Sequence, residues 1–113
     1  MTRVYSCHVS LALDLLGGKW KPVVLAHLKQ GPLRYGELRA RVRGHLSDKV
    51  LTQRLAELEA QGLVSRTKRG RRGAPSLYRL TARADSLRPA LQALHDWGAR
   101  MAREMDVVVE ERR

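Results

Sequence analysis

Apolar residues recur along this chain mainly at spacings of three and four, which predicts helices. The first such segment covers residues 9–16 and ends at a pair of glycines. A second covers residues 19–28, with Pro22 in its first turn, where the missing N–H group costs little. A third, shorter helix is predicted over residues 35–42. The first part of the chain is therefore expected to be helical.

The fourth segment has the clearest pattern. Ser47 is a good N-cap residue and Gly62 is a good residue to end a helix. The apolar residues between them recur on one face, at Leu51, Leu55 and Leu58. At about 100° per residue, the opposite face carries Lys49, Thr52, Gln53 and Ala56. A polar face with short side chains can approach base edges closely and offer them donors and acceptors.

The period changes to that of strands after residue 62. Residues 63–68 and 76–80 predict two strands, and the loop between them is rich in Gly and Arg. Five positive residues and no acid lie between Arg66 and Arg72. A hairpin tip this cationic suits an arm along a phosphate backbone or in a minor groove, although a merely solvated loop would read the same way.

A long apolar stripe predicts the last helix, residues 82–106, with Thr81 as its N-cap and a kink or break near Pro89. The stripe consists of Leu87, Leu91, Leu94, Trp97, Met101 and Met105. Because the preceding segments already supply a core, we expect nothing in the same chain to cover this stripe. It is a candidate dimer interface.

Composition narrows the function. The 113 residues are expected to form one domain, and 22 Lys and Arg against 11 Asp and Glu give a formal net charge of +11. Residues 1–83 hold 17 of these cations and five acids (17 − 5 = +12), whereas residues 84–113 hold five and six (5 − 6 = −1). Such a concentration of positive charge favours a polyanion as partner, because neutralised phosphates release counterions.

Other classes of function find little support. The chain has neither a membrane-length apolar run nor a signal peptide pattern, so we expect a cytoplasmic protein without a membrane partner. The histidines fall in separate segments, at His8, His27, His45 and His95, so no metal site is predicted. No cofactor motif or catalytic constellation is evident, and an enzyme is not expected. The lone Cys7 is either an inert small side chain or a reactive thiol.

Five motifs together resemble the HxlR-type transcriptional regulators, relatives of the MarR class. They are Leu-Leu-Gly-Gly-Lys-Trp at 15–20, Arg-Tyr-Gly-Glu-Leu at 34–38, Leu-Thr-Gln-Arg-Leu-Ala-Glu-Leu-Glu at 51–59, Gly-Leu-Val at 62–64 and Tyr-Arg-Leu-Thr at 78–81. The resemblance implies a winged helix-turn-helix, mainly α with a small β-hairpin, and N-terminal and long C-terminal dimerisation helices. It places the helix-turn-helix at about 35–61 and the wing at about 63–80. It also implies a homodimer on palindromic double-stranded DNA.

Carried over by position, the resemblance implies a set of DNA-binding residues: Ser47, Lys49, Thr52, Gln53 and Arg54 on the recognition helix, and Arg71 or Arg72 on the wing. Arg69, in the same cationic loop, completes the predicted set. The helical positions put Arg54 on the flank, where a phosphate contact or a salt bridge to Glu57 or Glu37 is expected.

Cys7 matches a cysteine that senses quinones, aldehydes or disulfide stress in some members of the family. With no second cysteine in the chain, alkylation, a mixed thiol adduct or a Cys7–Cys7 bond between subunits remains possible. The operator, the regulated genes and any small-molecule effector are not implied.

Two other functions remain open at this stage. A winged helix could bind a protein partner through its polar helix and use its basic arm for non-specific nucleic-acid contact. A non-specific packaging protein is the third reading. A base preference separates the regulator from both, because contacts to the backbone alone cannot produce one.

Overall fold

The computed structural model describes residues 4–17, 19–67 and 76–110. Its helices are α1 (His8–Leu16), α2 (Lys21–Leu28), α3 (Tyr35–Val42), α4 (Asp48–Ala60), α5 (Ala82–Asp85) and α6 (Arg88–Glu104). Its strands are β1 (Leu33–Arg34), β2 (Val64–Thr67) and β3 (Leu77–Leu80). Among the helices in these ranges, none combines the length and the apolar character needed to cross a bilayer.

The three strands form one antiparallel sheet in the order β1-β3-β2. The pairing of β2 with β3 forms the predicted hairpin, with Val64 opposite Leu80. The third strand, β1, was not predicted, because two residues are too few to show the alternation of a strand. It pairs through Leu33, which lies opposite Tyr78, and both side chains are buried. The predicted fold class, mainly helical with a small β element, is confirmed.

Helices α2, α3 and α4 pack with the sheet around one core. The inward-facing residues of α3 and α4 are all buried, namely Leu38, Val42, Leu51, Leu55 and Leu58. Helix α2 is the largely buried helix that its apolar density predicts, and its Val24 and Leu25 are fully enclosed. Pro22 lies in the first turn of α2, as expected. This packing fixes α4 by its apolar side and leaves its polar side outward.

The C-terminal segment consists of two helices. Thr81 caps α5, since its Oγ1 accepts from the Ala84 N–H at 3.2 Å and donates to the Gly62 carbonyl at 2.6 Å. The chain then turns, and Pro89 lies in the first turn of α6, where proline is tolerated. The predicted break near Pro89 is therefore confirmed, and it lies within the three residues that precede the proline.

The start of α6 belongs to the core. Leu91 is buried there and Leu87 packs partly against it. The Arg88 guanidinium donates to the Lys29 carbonyl at 2.6 Å, which ties α6 to the end of α2. The expectation that the whole apolar stripe is uncovered is therefore wrong for Leu87 and Leu91, because α6 begins against α2.

Two apolar helix faces remain exposed. On α6 and just beyond it, Leu94, Trp97 and Met105 are exposed and Met101 is half-buried. Helix α1 has no buried residue at all, and its Val9 and Leu13 are among the most exposed apolar side chains. Within the described ranges, neither face finds a partner in the same chain.

Candidate nucleic-acid interface

Helix α4 begins and ends at well-defined capping residues. The Ser47 Oγ accepts from the Val50 N–H at 3.1 Å, which confirms it as the N-cap. At the other end Gly62 has φ +74°, a left-handed conformation that glycine adopts without strain, and its N–H donates to the Glu59 carbonyl at 3.0 Å. The polar residues of α4 therefore hold fixed positions relative to the sheet that follows.

The face of α4 opposite its buried leucines is exposed. Lys49, Thr52 and Gln53 lie on it together with Ala56, and Ser47 is exposed at its N-terminal end. Within this face the only charge is that of Lys49, so the surface offers amide and hydroxyl groups as well as a cation. A helix face of this kind has the dimensions and the hydrogen-bonding groups to read base edges in a major groove.

Tyr35 connects α3 to the start of α4. Its hydroxyl contacts the Asp48 carboxylate and lies 3.2 Å from Thr52 Oγ1, and Arg39 Nε lies 3.5 Å from the same carboxylate. Partial burial, and then the hydrogen bond to Asp48, raises the pKa of Tyr35, so the phenol remains a donor at neutral pH. Sequence reasoning missed Tyr35, Arg39 and Asp48, whose contacts connect α3 to the start of α4.

Arg54 lies on the flank of α4. Its Nη1 forms a salt bridge with Glu57 Oε1 at 2.7 Å, and its Nε donates to the Lys19 carbonyl at 3.3 Å. The same Glu57 oxygen lies 4.0 Å from the nitrogen of Lys21, a buried lysine that also donates to Gln61 at 3.3 Å. The expected salt bridge of Arg54 is present within α4, and the hydrogen bond from Arg54 to the Lys19 carbonyl links the loop before α2 to α4.

The tip of the wing, with Arg69, Arg71 and Arg72, lies outside the described residues. Its base is set by the register of β2 and β3, where Thr67 lies opposite Leu77. Arg66 is exposed on β2, 3.8 Å from Glu59 of α4. The base of the wing is therefore linked to α4 by the Arg66–Glu59 ion pair.

Comparison with known proteins agrees with this geometry. Residues 15–106 match the HxlR-like helix-turn-helix family. The chain belongs to the HxlR-like family of helix-turn-helix transcriptional regulators. It is 40% identical over 100 residues to the helix-turn-helix-type transcriptional regulator YkvN of Bacillus subtilis, covering 88% of this chain and 84% of YkvN.

Two solved structures resemble this HxlR-like protein closely. The helix-turn-helix-type regulator YtcD superimposes with a TM-score of 0.78 at 37% identity, covering 86% of this chain and 98% of that one. The redox regulator HypR in its reduced form superimposes with a TM-score of 0.79 at 32% identity, covering 88% and 96%. The winged helix-turn-helix fold is therefore shared with proteins named as regulators.

Cys7 of this HxlR-like protein begins α1 as its N-cap. Its Sγ accepts from the Ser10 N–H at 3.4 Å and lies 3.5 Å from the Ser10 Oγ, and the side chain is exposed. These contacts, the one with the Ser10 side chain first, lower the pKa of the Cys7 thiol, because they stabilise the thiolate. The alternative of a buried small side chain is wrong, because Cys7 is exposed.

Proposed function

We propose that this HxlR-like regulator binds a palindromic operator in double-stranded DNA as a homodimer. The observation that carries the proposal is the exposed polar face of α4. The helix is capped at its N-terminus, and three buried leucines on its opposite side pack it into the core. In a dimer, two such helices would enter successive major grooves about one helical turn apart. A dimer bound at a promoter would then act either by occluding it or by recruiting other proteins to it.

The proposal divides the contacts into two kinds. Lys49, Thr52 and Gln53 read base edges, because they point away from the core and carry donors and acceptors. Ser47, at the N-terminus of α4, and Arg54, on its flank, contact phosphates. In the wing, Arg69, Arg71 and Arg72 would contact the flanking backbone or minor groove without reading sequence.

The exposed apolar faces supply the dimer. Leu94, Trp97, Met101 and Met105 continue along α6 beyond the core, and α1 exposes a second apolar face. A contiguous apolar surface of this kind is rarely left open to water in a monomer. A symmetric pair, in which α6 and α1 of one subunit pack on those of the other, would cover both faces.

The proposal also includes a change in DNA binding when the Cys7 thiol is modified. Cys7 is exposed, and its lowered pKa increases the fraction of thiolate at neutral pH. A thiolate that attacks a small disulfide forms a new S–S bond to one sulfur and releases the other as a thiolate. An adduct at Cys7 would lie at the start of α1, beside a proposed dimer surface. It would therefore change how the two subunits pack, and with that the affinity for DNA.

The first experiment selects bound fragments from the source genome with purified protein at moderate salt. The affinities of the selected sites and of random DNA are then measured across a salt series. A short palindrome retained over random DNA by a factor of about 10³ or more supports the proposal. Uniform binding that vanishes with salt contradicts it and favours the interaction module or the packaging protein instead.

Two variants test the division of contacts. Gln53→Ala should cost about 1–3 kcal/mol at one position of each half-site and relax specificity there. Arg71→Ala should weaken binding to all sequences alike and reduce the salt slope by about one. Equal losses on operator and random DNA for both variants would contradict this assignment.

Cys7→Ser tests the thiol response. The wild-type protein should lose or change its operator affinity after treatment with a small disulfide, and the serine variant should not. Reversal by a reducing agent separates a disulfide from irreversible damage. Wild type and Cys7→Ser responding alike would remove Cys7 from the proposal and leave DNA binding untouched.

A further inference from the structure

Tyr35 lies where α3 meets the exposed polar face of α4. It is the first residue of α3, directly after β1, and in this first turn the Arg34 N–H donates to Glu37 Oε1 at 2.8 Å. The Tyr35 ring packs partly against the core. Because its backbone and its ring are both held in place, its hydroxyl group has a fixed position beside α4.

Two side chains of α4 surround the Tyr35 hydroxyl. One is the carboxylate of Asp48, which the hydroxyl contacts, and Arg39 Nε lies 3.5 Å from the same carboxylate. The other is the hydroxyl of Thr52, whose Oγ1 lies 3.2 Å from the Tyr35 oxygen. Among the residues that the structure describes, Tyr35 is the one hydrogen-bond partner of the Thr52 hydroxyl, and Thr52 is otherwise exposed.

The single proton of the Tyr35 hydroxyl decides the direction of both hydrogen bonds. A carboxylate at neutral pH has no proton to donate. Partial burial, and then the hydrogen bond to Asp48, raise the pKa of Tyr35, so the phenol keeps its proton at neutral pH. Tyr35 therefore donates to Asp48, and the Tyr35 oxygen accepts the hydrogen bond from Thr52.

This direction limits what Thr52 can offer to a base. A threonine hydroxyl has one proton and two lone pairs, and here the proton is used within the protein. What remains is an acceptor beside a methyl group. In a major groove the exocyclic amines of adenine and cytosine are donors, whereas the corresponding oxygens of guanine and thymine are acceptors. An acceptor-only Thr52 therefore matches the amino bases and not the keto bases.

We propose that Tyr35 is a specificity-determining residue that acts through Thr52. By accepting the hydrogen bond of Thr52, it makes α4 prefer adenine or cytosine over guanine or thymine at the base that Thr52 contacts. Tyr35 does not itself touch the base, so it is a positioning residue. The inference rests on the proposed function, because it requires that α4 reads base edges.

The test measures base preference on the operator obtained by the selection described above. The affinity of the full chain is measured for all four base pairs at each position, substituted symmetrically in both half-sites. Thr52→Val, which keeps the shape of the side chain and removes its hydroxyl, identifies the position that Thr52 reads. There the wild type should favour an amino base by about fivefold or more, the contribution of a hydrogen bond, and Tyr35→Phe should remove most of this preference. The freed Thr52 hydroxyl can then rotate and donate to a keto oxygen.

Two comparisons separate this role from a purely structural one. In the Thr52→Val background, Tyr35→Phe should leave the base preferences unchanged, because no hydroxyl remains for Tyr35 to orient. Tyr78→Phe is the matched control, since it makes the same change at a buried tyrosine of β3 and should leave every preference as in the wild type. A general loosening of α4 would instead lower the affinity for all operator variants alike.

The possible results have different consequences. An amino-base preference that survives in Tyr35→Phe, or a keto-base preference in the wild type, overturns this inference and leaves operator binding intact. The inference is also overturned if Thr52→Val changes the preference at no position, if Tyr35→Phe still acts in the Thr52→Val background, or if Tyr78→Phe has the same effect. If no operator is selected at all, the proposed function fails and this inference fails with it.

Discussion

Truncation of Trp97 to alanine should weaken self-association. The Trp97 side chain is 56% exposed in the single chain. A tryptophan buries roughly 200 Å², so about 110 Å² of it remains to be covered by a partner. At about 25 cal/mol per Å² this area corresponds to about 3 kcal/mol per subunit, and a two-fold symmetric interface counts it twice. The resulting 6 kcal/mol, roughly, is an upper bound.

Sedimentation velocity over a concentration series measures the effect. Even if half of that upper bound is realised, the dimer Kd should rise by about 100-fold. Arg103→Ala is the matched control, because Arg103 is exposed on α6 and, at about 100° per residue, points away from the stripe. A monomeric wild type at micromolar concentration, or a Kd for Trp97→Ala within threefold of wild type, would refute the assignment of this face.

Three further predictions concern the single chain without DNA. Ser47→Ala should lower the free energy of unfolding in urea by about 1 kcal/mol, and Ser47→Asp, which retains an acceptor, should restore most of it; equal losses would argue against the cap. Tyr35→Phe removes the hydroxyl that contacts α4 and should cost about 1 kcal/mol in the same assay, so an unchanged midpoint would contradict that role. Burial, and then the charge of Arg41, lower the pKa of His27 in the folded state. As the pH drops below about 6.5, His27 is therefore protonated in the unfolded chain before it is protonated in the folded one, and the free energy of unfolding falls. His27→Gln should reduce this slope of urea stability against pH, and an identical slope in variant and wild type would be inconsistent with it.

The sequence predicts α4 well because its signals are local. The cap at Ser47, the stop at Gly62 and the spacing of the three buried leucines all fall within one segment and agree with one another. The exposed face follows from the same spacing, since the side opposite a buried seam must point outward. The salt bridge of Arg54 was predictable for the same reason, because Glu57 is three residues away.

Contacts between distant segments could not be predicted in this way. Strand β1 exists through its pairing with β3, more than 40 residues later, and two residues carry no period of their own. Leu91 carries the same stripe pattern as Trp97, and only the packing of α6 on α2 separates a core residue from an exposed one. The contacts of Tyr35 with α4 likewise depend on the angle between two helices.

Both edge strands of the sheet in this regulator are short. One edge is β1, two residues long, and the other is β2, four residues long and carrying the exposed cation Arg66. Unpaired strand edges can add further copies without limit, and short, charged edges resist such growth. The exposed apolar surface lies instead on the helices α1 and α6, which can be covered by one symmetric partner. The proposed two-fold association through these helices would close at two subunits, so the exposed apolar surface would not lead to open-ended growth.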